Sequence, residues 1–499
     1  MYASVWGCAL DGLSAQLVKV EVDVGRGLPA FEVVGLPNRT VKESRDRIRS
    51  AFRNTGFQFP PTRVTVNLAP ADFPKTSSTL DLPIAVAILL ATDQINWTDL
   101  GDCLFWGELS LDGQIQSCRG IINAALLAGK EGMSLIYPKS DRPAVESVSG
   151  LSAQGFADLS ELVSVFNQGK PKWRISKGLR KVGVFQIPDP WQQLKISGGL
   201  LAKRFLTVAA AGRHNLALVG PPGVGKTMLV QALKELLPPL RQAEILEVAR
   251  IYSAVGLEVK AVLKGEPPFR APHHTVTLTG LLGGGLPPKP GEMTLAHKGL
   301  LFLDELPEFS RKALAVLREP LESKVIRLSR GNKCYYFPSD FQLACAFNPC
   351  PCGFHRFQPE KCRCTYREIN AYLRPVIGPL ADRIHLRLAV ARPLWEEQAS
   401  SRREAFPVSI EAARAEVENR DQARLESRLV QEGRHFLRLL FKEEQLSARA
   451  YYQLLSVAST ISALEGSELI SGEHLGEAWQ YRWQAAEYLE GAVEDAALS

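Results

Sequence analysis

Residues 220–227 combine glycines, a lysine and a hydroxyl in a pattern that binds phosphate groups. They read Gly220-Pro221-Pro222-Gly223-Val224-Gly225-Lys226-Thr227, between an apolar run (215–219) and a helical pattern (228–233). In such a strand–loop–helix unit, backbone N–H groups and the helix N-terminus face the phosphates, the lysine adds a charge, and the hydroxyl ligates Mg²⁺. We therefore predict a nucleoside triphosphate site, with Lys226 on the phosphates and Thr227 on the metal.

Two carboxylates further along the chain are suited to complete this site. Residues 300–303 are apolar, and Asp304 and Glu305 follow directly. The pattern is typical of a buried strand in a parallel sheet, whose carboxyl end delivers side chains to the phosphates. We predict that Asp304 holds Mg²⁺ and that Glu305 polarises the attacking water. The alternative is a core strand that merely ends in acids.

A second apolar run, residues 341–347, ends in Asn348. If both runs are strands of one parallel sheet, their carboxyl ends meet at the same edge. The amide of Asn348 would then lie beside the γ-phosphate and help to orient the water. The alternative is a turn-forming asparagine before Pro349.

Four of the nine cysteines, Cys350, Cys352, Cys362 and Cys364, fall within residues 350–364. Two pairs of thiolates that converge from a loop suit tetrahedral zinc, although this spacing is tighter than that of most zinc sites. We predict a structural zinc site with His355 as a reserve ligand. The alternative is a reduced, cysteine-rich loop.

The pattern around these residues indicates an α/β protein with several domains. Residues 1–165 alternate short β-like runs, such as the strict alternation at 18–24, with helices. Residues 166–190 are rich in glycine, proline and basic side chains, which favours a basic linker. Residues 191–395 alternate strands and helices, as in a parallel sheet covered on both faces. Residues 396–499 are nearly all helical in pattern and predict a small bundle.

The composition is that of a globular protein, with 45% hydrophobic residues, 22% charged residues and a net charge of +6. No stretch reaches the roughly 20 consecutive apolar residues of a membrane span. Residues 1–20 lack the order of a secretion signal. We expect a cytosolic protein without membrane contact, whose cysteines are reduced unless a metal holds them. The mild positive charge is a weak indication of a polyanion partner.

Six short segments have distinctive amino-acid sequences. They are residues 270–275 (RAPHHT), 283–285 (GGG), 290–292 (PGE), 296–297 (AH), 301–309 (ending in LPEF) and 348–353 (NPCPCG). These motifs resemble those of the magnesium-chelatase-like branch of the AAA+ ATPases and, within it, of the ComM-type proteins. The resemblance covers almost the whole chain. It implies a three-layer P-loop core with a C-terminal helical lid, ATP and Mg²⁺ as ligands, and a homo-hexameric ring with active sites between subunits.

The same resemblance implies roles for two arginines. The segment that ends at Arg383 resembles the family's finger segment, so Arg383 would reach the γ-phosphate of a neighbour and stabilise the transition state. Arg449 opens a lid helix and resembles the second sensor, which places it over the nucleotide. The alternative for each is a surface arginine in an ordinary ion pair. Two positions depart from the family: His385 stands where an acid is usual, and residues 196–199 lack the usual Gly-Gln.

Two segments are predicted to touch the substrate. Residues 325–337 alternate around a glycine turn and predict a β-hairpin. In this branch of the family the hairpin points into the ring pore, and Arg330 and Lys333 near its tip suit phosphate backbones. Residues 278–292, which include Lys289, are a candidate second pore hairpin. The alternative is a pair of solvated loops.

Residues 1–165 also resemble the Lon-type protease fold, through segments 70–75, 80–85 and 107–113. Peptide cleavage there needs a nucleophilic serine and a lysine to deprotonate it. The register puts Thr79 at the nucleophile and Ile122 at the base, and an isoleucine takes no proton. We predict an α+β platform for binding or ring formation and not a peptidase.

The leading hypothesis is an ATP-driven DNA motor. The resemblance implies a hexameric DNA helicase that promotes branch migration on single-stranded or branched DNA, in recombination or natural transformation. A basic stripe on one helix, Lys42, Arg45, Arg49 and Arg53, is either a solvated face or a nucleic-acid contact. The alternative function is an ATPase that remodels a protein partner, as the motor subunit of a metal chelatase does.

Overall fold

The computed structural model describes residues 1–73, 75, 78–96, 102–169, 171–179, 200–330, 333–377, 380–391, 409–420, 422–443 and 446–482. About half of the predicted basic linker (residues 170 and 180–190) lies outside these residues, as do the departure at 196–199, the turn at 331–332 and both ends of the C-terminal segment. Among the described residues, no helix is both long and apolar enough to cross a membrane.

A mixed eight-stranded sheet forms the N-terminal part. Its strands and a separate two-stranded ribbon (β6 and β7) are, in chain order, β1 (Tyr2–Asp11), β2 (Ser14–Gly25), β3 (Ala30–Val34), β4 (Arg63–Ala69), β5 (Cys103–Phe105), β6 (Glu108–Leu109), β7 (Ile115–Gln116), β8 (Ser134–Pro138), β9 (Ser152–Phe156) and β10 (Arg174–Ile175). The order in the sheet is β10-β9-β8-β5-β1-β2-β4-β3.

The helices of this part are α1 (Arg39–Lys42), α2 (Ser44–Thr55), α3 (Asp81–Ala91), α4 (Ile121–Glu131), α5 (Arg142–Val145) and α6 (Leu159–Asn167). The strict alternation predicted at 18–24 turns Val18, Val20 and Val22 to one face of β2, where they are buried against α3. Because α3 is buried along almost its whole length, it forms the centre of this core.

The N-terminal sheet continues past the boundary predicted at residue 165. Strand β10 pairs antiparallel with β9 at the sheet edge. The buried Ser176 hydroxyl donates to Val148 O and accepts a hydrogen bond from Leu151 N at 3.1 Å. Residues 174–176, which fall within the predicted linker (166–190), are therefore tied to the sheet. A two-residue edge strand is too short to show an alternation in the sequence.

A second, fully parallel sheet carries residues 220–227, the predicted phosphate-binding loop. The strands after β10 are β11 (Leu216–Val219), β12 (Phe269–Arg270), β13 (Gly283–Gly284), β14 (Lys289–Pro290), β15 (Leu300–Leu303), β16 (Val325–Arg330), β17 (Lys333–Pro338), β18 (Gln342–Phe347) and β19 (Leu386–Ala389). Five of them form the sheet in the order β12-β15-β18-β11-β19, and β13-β14 and β16-β17 form two hairpins. Both hairpins lie in the segments from which they were predicted.

Helices cover both faces of the parallel sheet. They are α7 (Leu200–Gly212), α8 (Lys226–Leu236), α9 (Gln242–Val255), α10 (Lys260–Leu263), α11 (Leu278–Leu282), α12 (Glu292–Leu295), α13 (Arg311–Val316), α14 (Arg318–Ser323) and α15 (Tyr366–Ile377). Leu216 and Leu218 pack with α7 and α8, whereas Ala217 and Val219 pack on the opposite face with α9 and α15. The predicted three-layer α/β core is confirmed.

The described C-terminal helices are α16 (Ile410–Asn419), α17 (Gln431–Glu443), α18 (Ala448–Leu464) and a helical stretch at 472–482. Buried side chains of α18, including Leu454, Leu455 and Ile461, join the core cluster of α7 and α8. The helical bundle therefore packs on the same face of the parallel sheet as these two helices.

Candidate functional site

The phosphate-binding loop connects β11 to α8. Gly223 and Gly225 adopt φ angles of +75° and +92°, which side chains other than glycine rarely accept. Gly220 is required for a different reason, since a Cβ there would lie 2.3 Å from Val390 O. The loop is thus pressed against the residue after β19, and α8 begins at Lys226 with its N-terminus toward the loop.

Lys226 ties this loop to the neighbouring strand β18. Its Nζ donates to Gly220 O at 2.8 Å, to Pro221 O at 2.9 Å and to Asn348 Oδ1 at 2.9 Å. Burial lowers the pKa of the Lys226 ammonium, and the charges of nearby Asp304 and Glu305 oppose that shift. Because Lys226 has these negative neighbours and three acceptors, it has the setting of a phosphate-binding cation.

Thr227 and Asp304 form the part of the site suited to Mg²⁺. Thr227 Oγ1 donates to Asp304 Oδ2 at 3.1 Å, and Asp304 Oδ1 accepts from Glu305 N at 3.0 Å. Two adjacent oxygen ligands of an octahedral Mg²⁺ lie about 2.9 Å apart. The hydroxyl and the carboxylate therefore fit the ion that their residue types predict.

Glu305 occupies a strained position next to a histidine. Its φ of +53° lies in the left-handed region, which costs energy for a residue with a side chain. Its carboxylate is 59% exposed, so water reaches it, and Oε2 lies 3.3 Å from His274 Nδ1. The rings of His273 and His274 are 4.0 Å apart. Sequence reasoning assigned His274 no role, although the segment RAPHHT contained it.

The four cysteines of residues 350–364 converge. Their Sγ atoms all lie within 4.8 Å of one another, and three of the separations are 3.3, 3.6 and 3.9 Å. Four thiolates around one zinc ion lie about 3.8 Å apart. Burial raises the pKa of Cys352, but hydrogen bonds from the backbone of Phe354 and Arg363 and from the thiols of Cys350 and Cys364 together lower this pKa to about 6. His355 is not a member of this group, and its backbone N donates to Cys350 Sγ at 3.3 Å.

The cysteine-rich loop touches the phosphate-binding loop. Gly353 has φ of +85°, and a Cβ on it would lie 2.6 Å from Pro222 Cδ. Asn348 precedes the first cysteine by two residues, and its amide accepts from Lys226. The cysteine cluster, Asn348 and the phosphate-binding loop therefore form one connected unit.

Arg383 and Arg449 lie at the opposite edge of the sheet from this unit. Arg383 O accepts a hydrogen bond from Asn215 Nδ2, before β11, whereas Lys226 contacts Gly220, after β11. Five residues of extended strand separate the two ends by about 16 Å. Arg449 reaches the same carboxylate, Glu322, as Arg383. Arg449 therefore lies at the edge opposite the phosphate-binding loop of its own chain, because α18 packs there, and its place over a nucleotide stays a prediction.

His385, the departure from the family pattern, lies behind Arg383. Its Nδ1 accepts from Asn215 N at 3.1 Å, and its ring lies edge to face on that of His214, 5.5 Å away. Burial lowers the pKa of both histidines, that of His385 to about 4. A buried, neutral histidine thus stands where the family usually has an acid, and it bonds the backbone at the start of β11.

The larger hairpin, β16-β17, contacts the N-terminal sheet. Lys333 Nζ lies 3.1 Å from Asp11 Oδ2, and Tyr335 OH donates to Asp11 Oδ1 at 2.8 Å. Lys333, predicted to suit a phosphate backbone, is therefore paired with a carboxylate. The guanidinium of Arg330 approaches Gly284 of the smaller hairpin, so the two hairpins are neighbours.

The N-terminal part bears two further predicted features. The Thr79 hydroxyl is buried and donates to Cys8 O, while Ile122 is buried and its N donates to Ser253 Oγ of α9. Helix α9 thus covers the position that the base of a Lon-type peptidase would occupy. The described members of the basic stripe, Arg45, Arg49 and Arg53, are exposed on α2, and Ile48 and Phe52 of that helix are buried.

Comparison with known proteins agrees with this arrangement. A family described as magnesium chelatase, subunit ChlI, matches residues 193–398, and related descriptions of the same subunit match residues 20–141 and, as its C-terminal part, 383–482.

The relatives cover almost the entire chain. Competence protein ComM of Haemophilus influenzae is 40% identical over 499 residues, which span 96% of this chain and 97% of that protein. YifB of Salmonella typhimurium is 40% identical, over 94% of this chain and 95% of YifB. YifB of Escherichia coli is 38% identical with the same coverage. The chain therefore belongs to the magnesium-chelatase-like family of AAA+ proteins and is a ComM-type member of it.

Proposed function

We propose that this chain is an ATP-hydrolysing AAA+ motor. The observation that carries the proposal is the convergence of Lys226, Thr227, Asp304, Glu305 and Asn348 at the carboxyl edge of one parallel sheet. The loop amides and Lys226 bind the phosphates, and Mg²⁺ held by Thr227 and Asp304 neutralises charge on them. Glu305, whose carboxylate is exposed to solvent, polarises the attacking water.

Asn348 orients that water. Its side-chain oxygen accepts a hydrogen bond from Lys226 Nζ, and its NH₂ group would donate to the water. The strained backbone of Glu305 is the kind of local cost that functional sites carry. These two features set the direction from which water meets the γ-phosphate.

We further propose that the site is completed by a neighbouring copy in a hexameric ring. The Arg383 backbone is bonded to the end of β11 that lies about 16 Å from the phosphate-binding loop, and Arg449 shares its partner Glu322. Both arginines line a cavity of 820 Å³. Among the described residues, its walls contain eight arginines and lysines in all, and three acids. An excess of positive charge at the far edge suits the γ-phosphate of another subunit, as the resemblance implies for Arg383.

DNA is the proposed substrate, with branch migration during natural transformation as the setting. The name of the relative ComM, a competence protein, supports this setting. Within the structure, the two adjacent hairpins support it, since Arg330 and Lys289 are exposed cations and Leu286, at the tip of the smaller hairpin, is 83% exposed. Cations contact phosphates, and an apolar tip suits contact with bases.

A protein-remodelling ATPase is the second candidate. The observation that favours it is the match of residues 193–398 to a chelatase subunit. In both cases the same phosphate chemistry drives the motor, so the two candidates differ in what the hairpins touch.

We also propose a structural zinc ion at Cys350, Cys352, Cys362 and Cys364. All four sulfurs are needed to complete a tetrahedron, so no position is left open for catalysis. The ion would fix the loop that carries Gly353 against Pro222.

The test is ATP turnover of the full chain without DNA, with single-stranded DNA and with a four-way junction. We expect DNA to stimulate turnover, with stimulation that falls steeply between 50 and about 200 mM salt because phosphate contacts release counterions. Arg330→Ala should lose the stimulation while basal turnover stays. Turnover that ignores every DNA would overturn the DNA proposal and favour a protein substrate.

A further inference from the structure

Arg383 and Arg449 share one carboxylate, that of Glu322, which the proposed reaction has not used. Arg383 Nη2 donates to Glu322 Oε1 at 2.6 Å, and Arg449 Nη2 donates to the same oxygen. Glu322 lies on α14, Arg383 lies just before β19, and Arg449 lies at the start of α18. Three elements that are distant in sequence therefore meet at a single oxygen atom.

The two guanidinium groups need a negative charge between them to lie this close together. Two donors on one oxygen lie no more than about 6 Å apart. A guanidinium keeps its charge at any ordinary pH, so the two groups repel each other unless an anion lies between them. In turn, Arg449 and Arg383 hold the pKa of Glu322 below its usual range. Glu322 is thus ionised and offsets the repulsion.

The backbone around Arg383 is already fixed by other contacts. Arg383 O accepts from Asn215 Nδ2 at 3.0 Å, and Asp382 O accepts from Gln453 Nε2 of α18. The Arg383 side chain is only 13% exposed, whereas that of Glu322 is 47% exposed. Glu322 contacts the guanidinium groups themselves and so contributes to the direction of both.

We propose that Glu322 is a positioning residue that keeps the guanidinium groups of Arg383 and Arg449 together and directed at the neighbouring subunit's γ-phosphate. The inference rests on the proposed function, in which both arginines act on a neighbour. Each guanidinium has five N–H donors, so one can stay on Glu322 while others bind phosphate oxygens. Glu322 itself transfers no proton and touches no nucleotide.

The first test compares steady-state ATP turnover of Glu322→Gln with that of Glu319→Gln. Glutamine keeps the shape and the acceptor oxygen of Glu322 but removes its charge. Glu319 is an exposed residue on the same helix, so it is the matched control. We expect Glu322→Gln to lower kcat about tenfold. KM for ATP should change less than about twofold, because the phosphate-binding loop is untouched. Glu322→Asp should regain part of kcat, and an unchanged or raised kcat in Glu322→Gln overturns the inference.

The second test asks which subunit needs Glu322. Lys226→Ala and Arg383→Ala chains, each inactive alone, should regain turnover when mixed, because one supplies the arginines and the other holds ATP. Adding Glu322→Gln to the Lys226→Ala chain should remove most of the regained turnover. Adding it to the Arg383→Ala chain should have little effect.

The outcomes separate the two levels of the proposal. Regained turnover that is equally insensitive to Glu322→Gln in either chain overturns the positioning role alone. A mixture that regains no turnover overturns the neighbour-acting role of Arg383 and, with it, the inference.

Discussion

Gly353→Ala tests whether the cysteine-rich loop supports the phosphate-binding loop. The added Cβ would lie 2.6 Å from Pro222 Cδ, and an ordinary carbon–carbon contact is about 3.5 Å, so one of the two loops must move by nearly 1 Å. At φ of +85° the alanine also costs about 1–2 kcal/mol of backbone strain. Displacement of reacting groups by about 1 Å costs up to about 100-fold in rate. We expect kcat/KM for ATP to fall between about 10- and 100-fold.

The matched control is Gly150→Ala, which has φ of +74° and no described atom within 4 Å of the added Cβ. It lies in the N-terminal part and carries a similar backbone strain without a clash. Both variants should show a lower free energy of unfolding by about 1–2 kcal/mol in chemical denaturation. Steady-state turnover should fall only in Gly353→Ala. If that variant turns over ATP like wild type, the two loops are not coupled as the structure indicates.

Three further predictions concern the same core. Asn348→Ala should lower kcat about tenfold while the affinity for ATP measured by equilibrium binding changes little, since Lys226 remains; an unchanged kcat would contradict the water-orienting role. Cys362→Ser should lose the one zinc ion per chain that elemental analysis is expected to find, and Cys334→Ser, an exposed cysteine outside the cluster, should keep it; a wild-type protein without zinc would refute the site. Because burial lowers the pKa of His214 and His385 below their ordinary 6.5, the unfolded chain binds more protons on acidification. The free energy of unfolding should therefore fall from pH 6.5 toward 4 by up to about 1.4 kcal/mol per pH unit for each histidine, and a flat profile in denaturant titrations would contradict this.

The carboxyl edge of the parallel sheet was predictable because its signals are local. Asp304 and Asn348 each follow directly on a buried apolar run, and the glycine loop follows a third. Parallel strands bring such ends to one edge, so a linear pattern becomes a spatial cluster. The cysteine pairs also belong to this class, because a short loop brings them together.

The other edge of the sheet was not predictable in this way. The position of Arg449 depends on how α18 packs against α7, and no local pattern records which edge a lid helix reaches. The pairing of Lys333 with Asp11 joins residues 322 positions apart, and Glu322 has no motif at all. Such contacts arise from tertiary packing, so only the fold reveals them.

The resemblance supplied the family, and comparison confirmed it over nearly the full chain. Its implied roles for Arg383 and the hairpins remain predictions. His274, by contrast, lies in the RAPHHT segment (270–275), yet only the structure shows its contact with Glu305.

In the proposed mechanism, Glu305 activates water for hydrolysis of ATP bound at the phosphate-binding loop. The most direct measurement is a pair of assays on Glu305→Gln: equilibrium binding of Mg–ATP and a single-turnover hydrolysis rate. We expect Glu305→Gln to bind Mg–ATP within about threefold of wild type and to hydrolyse it at least about 100-fold more slowly. Hydrolysis at the wild-type rate by Glu305→Gln would contradict the assignment of the catalytic base and, with it, the proposed mechanism.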